Sequence, residues 1–308
     1  MSHDIQEDTP DLWMRYMRRG DFEKAWEVSD DALIFRAGQP YWHLPRHLQH
    51  IWNGSFLAGK RVLVRCYHGL GDTIQFIRYA PLIKAKAAVL IVWAQSQVIP
   101  LLESVPEIDV LLPLHDGSPE ATFDVDVEIM ELPHIFRTTI ATIPATIPYL
   151  SVEPKFLSLD SRLLSIGLVW KAGDWDERRS IPFSYLTPFA NIQGIRIFIL
   201  QANAKSAGWN GEFGEYPGEF SLFEYARIIR GLDLLISVDS MPAHLAGAIG
   251  VPVWTLLHAK ADWRWMEKRE DSPWYRTMRL FRQERPDEWI PVIECVTAEL
   301  EKFADERR

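Results

Sequence analysis

Three stretches of the chain combine residue types that could do chemistry. In His68-Gly69-Leu70-Gly71-Asp72-Thr73, glycines at a strand–helix junction let a substrate approach the backbone, and the helix that follows presents free N–H groups. Asp72 has two readings there: a helix cap, a common job for Asp in such a turn, or a carboxylate placed as a general base. The stretch is not a dinucleotide fingerprint, whose third glycine would fall at Ile74, and it lacks the Gly-Lys-Ser/Thr ending of a P-loop. In Ser237–Ala248 an apolar strand ends at Asp239 and a helix opens with Ser240 as cap, then Met241 and Pro242 in the first turn. The positive end of that helix makes a seat for a diphosphate. Asp239 would repel a phosphate, so it suits ribose hydroxyls or loop ordering, and His244, one turn in, is open to a structural or a functional reading. The third stretch, Gly167–Asp174 and then Asp176–Pro182, delivers Trp170 and Lys171 at a strand end and leads to Arg178 and Arg179. The planar fork of arginine fits phosphate oxygens; the alternative is a solvated loop of mixed charge.

The elements around these stretches are α/β. Candidate strands are 61–66, 88–93, 109–112, 124–129, 165–170, 195–200, 234–238 and 252–257, with helical patterns between several of them, as at 73–87 and 222–231. Near-continuous apolar strands separated by helices predict parallel sheets covered on both faces. Pro144, Pro148 and Pro154 mark a seam, so two α/β halves are expected, with a cleft between them as the default ligand site. Ahead of them, 11–38 reads as two short helices turning at Gly20-Asp21. They resemble a single tetratricopeptide-like hairpin, which cannot bury its own apolar face and must pack on a neighbour. A C-terminal amphipathic helix, 291–308, can pack across either half. The resulting division is 1–50 helical hairpin, 51–155 first Rossmann-like domain, 156–288 second Rossmann-like domain, and 289–308 the closing helix.

Composition narrows the function. A net charge of −9 over 308 residues argues against nucleic acid as the partner. Two cysteines make no disulfide framework, and the longest apolar run, eight residues, is too short to span a bilayer. The acidic start lacks the basic-then-apolar order of a signal peptide, which leads to a cytoplasmic expectation. No metal-ligand motif is found; His43, His47 and His50 lie near one another without a carboxylate to complete a set. Thirteen tryptophans are many. Trp170, Trp263 and Trp265 are candidates to stack on a base or a sugar, the rest belonging to the core.

Residues 69–81 (Gly-Leu-Gly-Asp-Thr-Ile-Gln-Phe-Ile-Arg-Tyr-Ala-Pro), Arg179-Ser-Ile-Pro182 and 239–250 (Asp-Ser-Met-Pro-Ala-His-Leu-Ala-Gly-Ala-Ile-Gly) resemble glycosyltransferase family 9, the family of the ADP-heptose:lipopolysaccharide heptosyltransferases. Asp262-Trp-Arg-Trp265 and 272–283 are similar to a bacterial subgroup fused to tetratricopeptide repeats. The resemblance implies a GT-B fold, two Rossmann-like domains facing a cleft. It implies a metal-independent, inverting transfer of a sugar from a nucleotide-diphosphate donor to a hydroxyl of a glycan, a lipid-linked compound or a protein, with no cofactor. Asp72 then matches the base, with His68, Gly69, Gly71 and Gln75 on the acceptor side. Trp170, Lys171, Arg179, Gln201, Asp239, Ser240, Met241, Pro242 and His244 fall on the donor side. Tyr67-His68 departs from the subgroup's Glu-Gln, and the loop from Lys171 to Arg178 is shorter than usual. A catalytically silent sugar-nucleotide-binding or interaction module is the alternative. A lipid-linked acceptor would bring the protein to a membrane surface, for which no basic amphipathic helix argues.

Overall fold

The computed structural model describes residues 9–40, 43–46, 49–160 and 162–307; the acidic start and His47 lie outside these. The chain divides into two compact units. The first runs to Ala145 and also takes Asp262–Arg269; the second holds Thr146–Ala261 and Glu270–Arg308.

The first unit is built on four parallel strands, β1 (Arg61–Arg65), β2 (Val89–Ala94), β3 (Val110–Pro113) and β4 (Val125–Glu128), in the order β3-β2-β1-β4. Their apolar runs are buried on both faces: Val62, Leu63 and Val64 of β1 and Leu90 to Trp93 of β2 are 0–1% exposed. The helix expected over 73–87 opens earlier and breaks. Helix α3 spans Leu70–Phe76, a 3-10 turn covers Ile77–Tyr79, and α4 spans Ala80–Lys84 with Pro81 in its first turn. Proline lacks the N–H that would continue the ladder, so the rod is cut there. Two further short helices, α5 (Ile99–Leu102) and α6 (Leu132–Ile135), follow β2 and β4.

Ahead of this sheet stands the helical hairpin, numbered here as helices αA (Thr9–Arg19) and αB (Phe22–Arg36). Its turn is Gly20, at φ +80°, where a Cβ would also meet Ile140 at 2.7 Å. As expected, the hairpin packs on a neighbour. Trp13 packs edge-on against Trp263 with ring centres 5.6 Å apart, the Trp26 indole N–H donates to the Thr138 carbonyl at 2.6 Å, and Asp30 accepts from His134 and Arg137. Trp263 and Trp265, 5% and 0% exposed, are therefore packed within the first unit; Trp265 offers no face to a ligand, and Trp263 keeps only a small part of its ring on a cavity beside the hairpin.

The second unit carries five parallel strands, β5 (Leu164–Val169), β6 (Ile195–Ile199), β7 (Leu234–Val238), β8 (Val253–Leu257) and β9 (Met278–Arg282), in the order β6-β5-β7-β8-β9. The last strand has no counterpart among the sequence expectations. Its one strand partner is β8, with an isolated antiparallel bridge between Arg279 and Asp271 beside it, and its arginines break the apolar run that marks the others. Helices α7 (Leu222–Arg230) and α8 (Met241–Ala248) cross between strands. The closing helix α9 (Ile290–Asp305) packs into this unit's core, its Val292, Ile293, Val296 and Leu300 clustering with Trp254 and Phe281.

Candidate active site

In an open parallel sheet, ligands bind at the carboxyl ends of the two strands where the order reverses. For the first unit that point lies between β1 and β4, and for the second between β5 and β7. The candidate residues gather at these two places.

At the first, the loop after β1 enters α3 through Gly69. The cap residue is Gly69, not Asp72: Asp72 is the third residue of the helix, and its Oδ2 accepts the Gly69 N–H at 2.9 Å, the reciprocal bond of a capping box. Its other oxygen accepts from the Arg264 guanidinium. Arg264, 7% exposed, also donates to the Gln75 side chain at 2.7 Å and to Asp262 at 2.8 Å, and its Nη2 lies 3.3 Å from the Met130 sulfur. It lies over the rings of Trp263 and Phe76, 4.9 and 5.4 Å from their centres. His68 Nε2 lies 3.5 Å from Glu128, and the His68 carbonyl accepts from Gln95 at 2.6 Å. Glu128, 1% exposed, accepts the Met130 N–H at 2.6 Å, and Glu131 accepts the N–H groups of Glu128 and Trp52, each at 2.9 Å. Burial pushes the Glu128 carboxyl well above the ordinary range, with the charges of Glu131 and Asp72 adding to the rise. Glu131 is raised by burial too.

Glu128, Glu131 and Arg264 escaped the sequence reading. The signal for the first was a carboxylate ending an apolar strand, Val125-Asp-Val-Glu128. Arg264 sat in the Asp-Trp-Arg-Trp motif without an assigned role.

At the second point, the loop after β5 turns back on itself and Arg179 points inward. One arm donates to the Asp239 carbonyl at 2.9 Å and the other to the Gly173 carbonyl at 3.3 Å. Arg178 next to it points out, its fork closed on Asp176 at 2.8 and 2.9 Å. Gln201, 8% exposed, accepts the N–H groups of Trp170 and Lys171 through Oε1, tying the ends of β5 and β6 together. Lys171 is exposed. Asp239 is 5% exposed at the end of β7. Ser240 occupies the cap position of α8, but its hydroxyl turns back to the Val238 carbonyl at 3.1 Å and makes no cap bond. Ser240 is thus the cap residue by position, as expected, without the side-chain bond of a serine cap. Met241 and Pro242 form the first turn, and His244 behind them is 6% exposed with Nδ1 3.0 Å from the Tyr275 hydroxyl. That pairing favours its structural reading.

Trp170 is also corrected. Its ring is 1% exposed, tilted on Phe183 at 4.8 Å, and its N–H is bound to the Ala207 carbonyl, so no face remains for a ligand. The open indole is Trp175, 74% exposed, with the Arg179 guanidinium 4.0 Å over its ring. Sequence reading passed it over because it lies in the polar loop rather than on the strand.

Of the comparisons with known proteins, the family match falls on this second site: the segment 201–288 matches the model of glycosyltransferase family 9 (heptosyltransferase). It includes Gln201, Asp239 and the start of α8, while Lys171, Arg179 and Asp72 lie before it. Protein FlbA of Caulobacter vibrioides is 25% identical over an alignment of 291 residues that covers 82% of this chain and 48% of that protein. The chain therefore spans about half the length of that curated relative. Two solved structures share the architecture. A glycosyl transferase family 9 protein from Veillonella parvula has a TM-score of 0.59 at 13% identity, covering 82% of this chain and 99% of its own. The ADP-heptose LPS heptosyltransferase II of E. coli has a TM-score of 0.55 at 16% identity, covering 80% and 99%. The fold is thus the GT-B type, two Rossmann-like units with a helical hairpin ahead of them. Among the described residues, no helix is long and apolar enough to cross a membrane.

Proposed function

We propose that the chain is an inverting glycosyltransferase that moves a sugar from a nucleotide-diphosphate donor to an acceptor hydroxyl without a metal. The observation that carries this reading is Arg179, which donates to the Asp239 and Gly173 carbonyls at the switch point beside the start of α8. A planar guanidinium fixed at that place suits the oxygens of an anion. Arg179, the exposed Lys171 and the first turn of α8 together suit a diphosphate, and the open face of Trp175 suits a base. In the transfer, Asp72 takes the proton of the acceptor hydroxyl as its oxygen attacks the anomeric carbon. The bond from that carbon to the diphosphate breaks, and the charge gathering on the diphosphate is met by Arg179, Lys171 and the helix start. The likeness in fold to the ADP-heptose LPS heptosyltransferase II of E. coli supports a nucleotide sugar as donor.

A thermal-shift titration with ADP, GDP, UDP, CMP and NAD tests the donor half of this reading. One nucleoside diphosphate should raise the melting temperature of the wild type, and Asp239→Ala and Trp175→Ala should each reduce that shift. A response to none of them, or to NAD alone, overturns it. A second reading, a binding module without turnover, draws on the Arg264 contact to Asp72, which occupies one of the two oxygens a base would use. Turnover lost in Asp72→Asn with nucleotide binding intact decides for the enzyme.

A further inference from the structure

We infer that the cavity enclosed by the hairpin and the loops after β1 and β4 binds an uncharged, hydroxyl-bearing compound with an apolar or aromatic face. Its use as the acceptor rests on the transferase reading above; the binding does not. The cavity measures about 900 Å³, within the range of small-molecule sites. Trp13, Trp26 and Phe35 line it from the hairpin, and Met130, Pro133 and Trp263 from the other side. It adjoins the proposed base: His68, four residues before Asp72, is in its wall, and Met130 touches the same Arg264 nitrogen that holds Asp72.

Charge defines the occupant. Asp31, Glu128 and Glu131 line the cavity, and the arginine among the described lining residues, Arg36, lies within the field of Glu131. His50, also in the wall, is held neutral near pH 7, pushed down to about 4 by the protein packed around it and by Arg36 and His68. A carboxylate or phosphate entering here would lose water and meet three acids against one arginine that already faces Glu131. A neutral compound faces no such cost, and its apolar face gains the aromatic walls. The few polar groups, Gln49, Ser29 and the His50 ring, can serve a hydroxyl or two.

The matched pair phenyl β-D-glucoside and phenyl β-D-glucuronide, which differ by one carboxylate, tests this by calorimetric titration of the full chain without donor. The glucoside should bind saturably, and the glucuronide about tenfold more weakly or worse. Ala32→Trp, which fills the cavity from αB, should abolish glucoside binding. Phe35→Ser, at a site 77% exposed and so harmless to the fold, should weaken it severalfold. Glu128→Gln should narrow the gap between the two ligands. Equal or tighter binding of the glucuronide, binding of neither, or glucoside binding unmoved by both cavity variants overturns the proposal. Those outcomes leave the nucleotide response of the second unit untouched, so the two readings fail separately.

Discussion

The two switch points use one backbone solution for opposite charges. In each unit, loops from two adjacent parallel strands meet where the strand order reverses. At β1 and β4 the loops bring carboxylates: Asp72, Glu128 and Glu131. At β5 and β7 they bring Arg179 to the start of a helix. The way each key side chain is held differs accordingly. Asp72 is gripped by a cation, Arg264, which the chain supplies from the stretch between β8 and β9. Arg179 donates to two backbone carbonyls. Each contact fixes the orientation of a group that the proposed chemistry would use. The fold thus sets where chemistry can occur, and the loop residues set its sign.

The largest effects should come from removing each member of this contrast. Asp72→Asn should lower transfer by about 10²–10⁴-fold, the span of a general base, and leave the nucleotide-induced thermal shift as it was. Arg179→Met should lower turnover by about 10²–10³-fold, as for loss of a charge-stabilising donor, and reduce that thermal shift as well. Steady-state kinetics with the donor found by titration checks both. Arg264→Gln should have a smaller effect than either: it leaves the base in place but unguided, so kcat should fall by no more than about 10²-fold with little change in donor affinity. A wild-type rate in Arg264→Gln would mean that the ion pair is packing alone.

The contrast was only half legible in the sequence. Eight of the nine strands were readable because a buried parallel strand is an unbroken apolar run, as in Val89-Leu-Ile-Val-Trp-Ala94. Strand β9 was not, because Met-Arg-Leu-Phe-Arg reads as an amphipathic fragment until its single partner is known. Asp72, Arg179 and Asp239 stood out because each follows a strand and precedes a helix or a turn. Glu128 and Arg264 did not, since their meaning comes from contacts across 56 or more positions of chain, which no local pattern carries. Trp170 misled for a related reason. A tryptophan at a strand end can face either the core or a ligand, and alternation inside a doubly covered strand does not say which.

Close packing should separate the two units at the next scale down. Helix α8 reaches its switch point only by lying tight against Tyr275: a Cβ on Gly247 would fall inside that buried ring. Gly247→Ala should therefore destabilise the protein by about 1–3 kcal/mol, the usual cost of overpacking, and reduce nucleotide binding with it. On the other side, a Cβ on Gly69 would sit 3.2 Å from Asp72 Oδ2, the end of a side chain that can shift. Gly69→Ala should cost less stability. Chemical denaturation of the two variants checks the order, and a reversed order would place the tighter packing in the first unit.

The smallest effect concerns acid. His50 in the first unit titrates at about 4 because the protein around it disfavours its charged form, and His134 is lowered by burial as well. In the second unit His258 is lowered by burial, opposed by Asp176. For a histidine whose folded value lies below its unfolded one, the unfolded chain binds a proton that the native state does not. Stability is then fully present above about pH 6.5 and is lost as pH falls toward 4. The raised carboxyls Glu128 and Glu131 act in the opposite sense, gaining a proton in the native state first, so the wild-type curve alone would blur the two. The difference between wild type and His50→Asn isolates the histidine. The variant should lose less stability between pH 6.5 and 4.5, and parallel curves would mean that the ring is solvated and that the cavity wall it forms is open to bulk water.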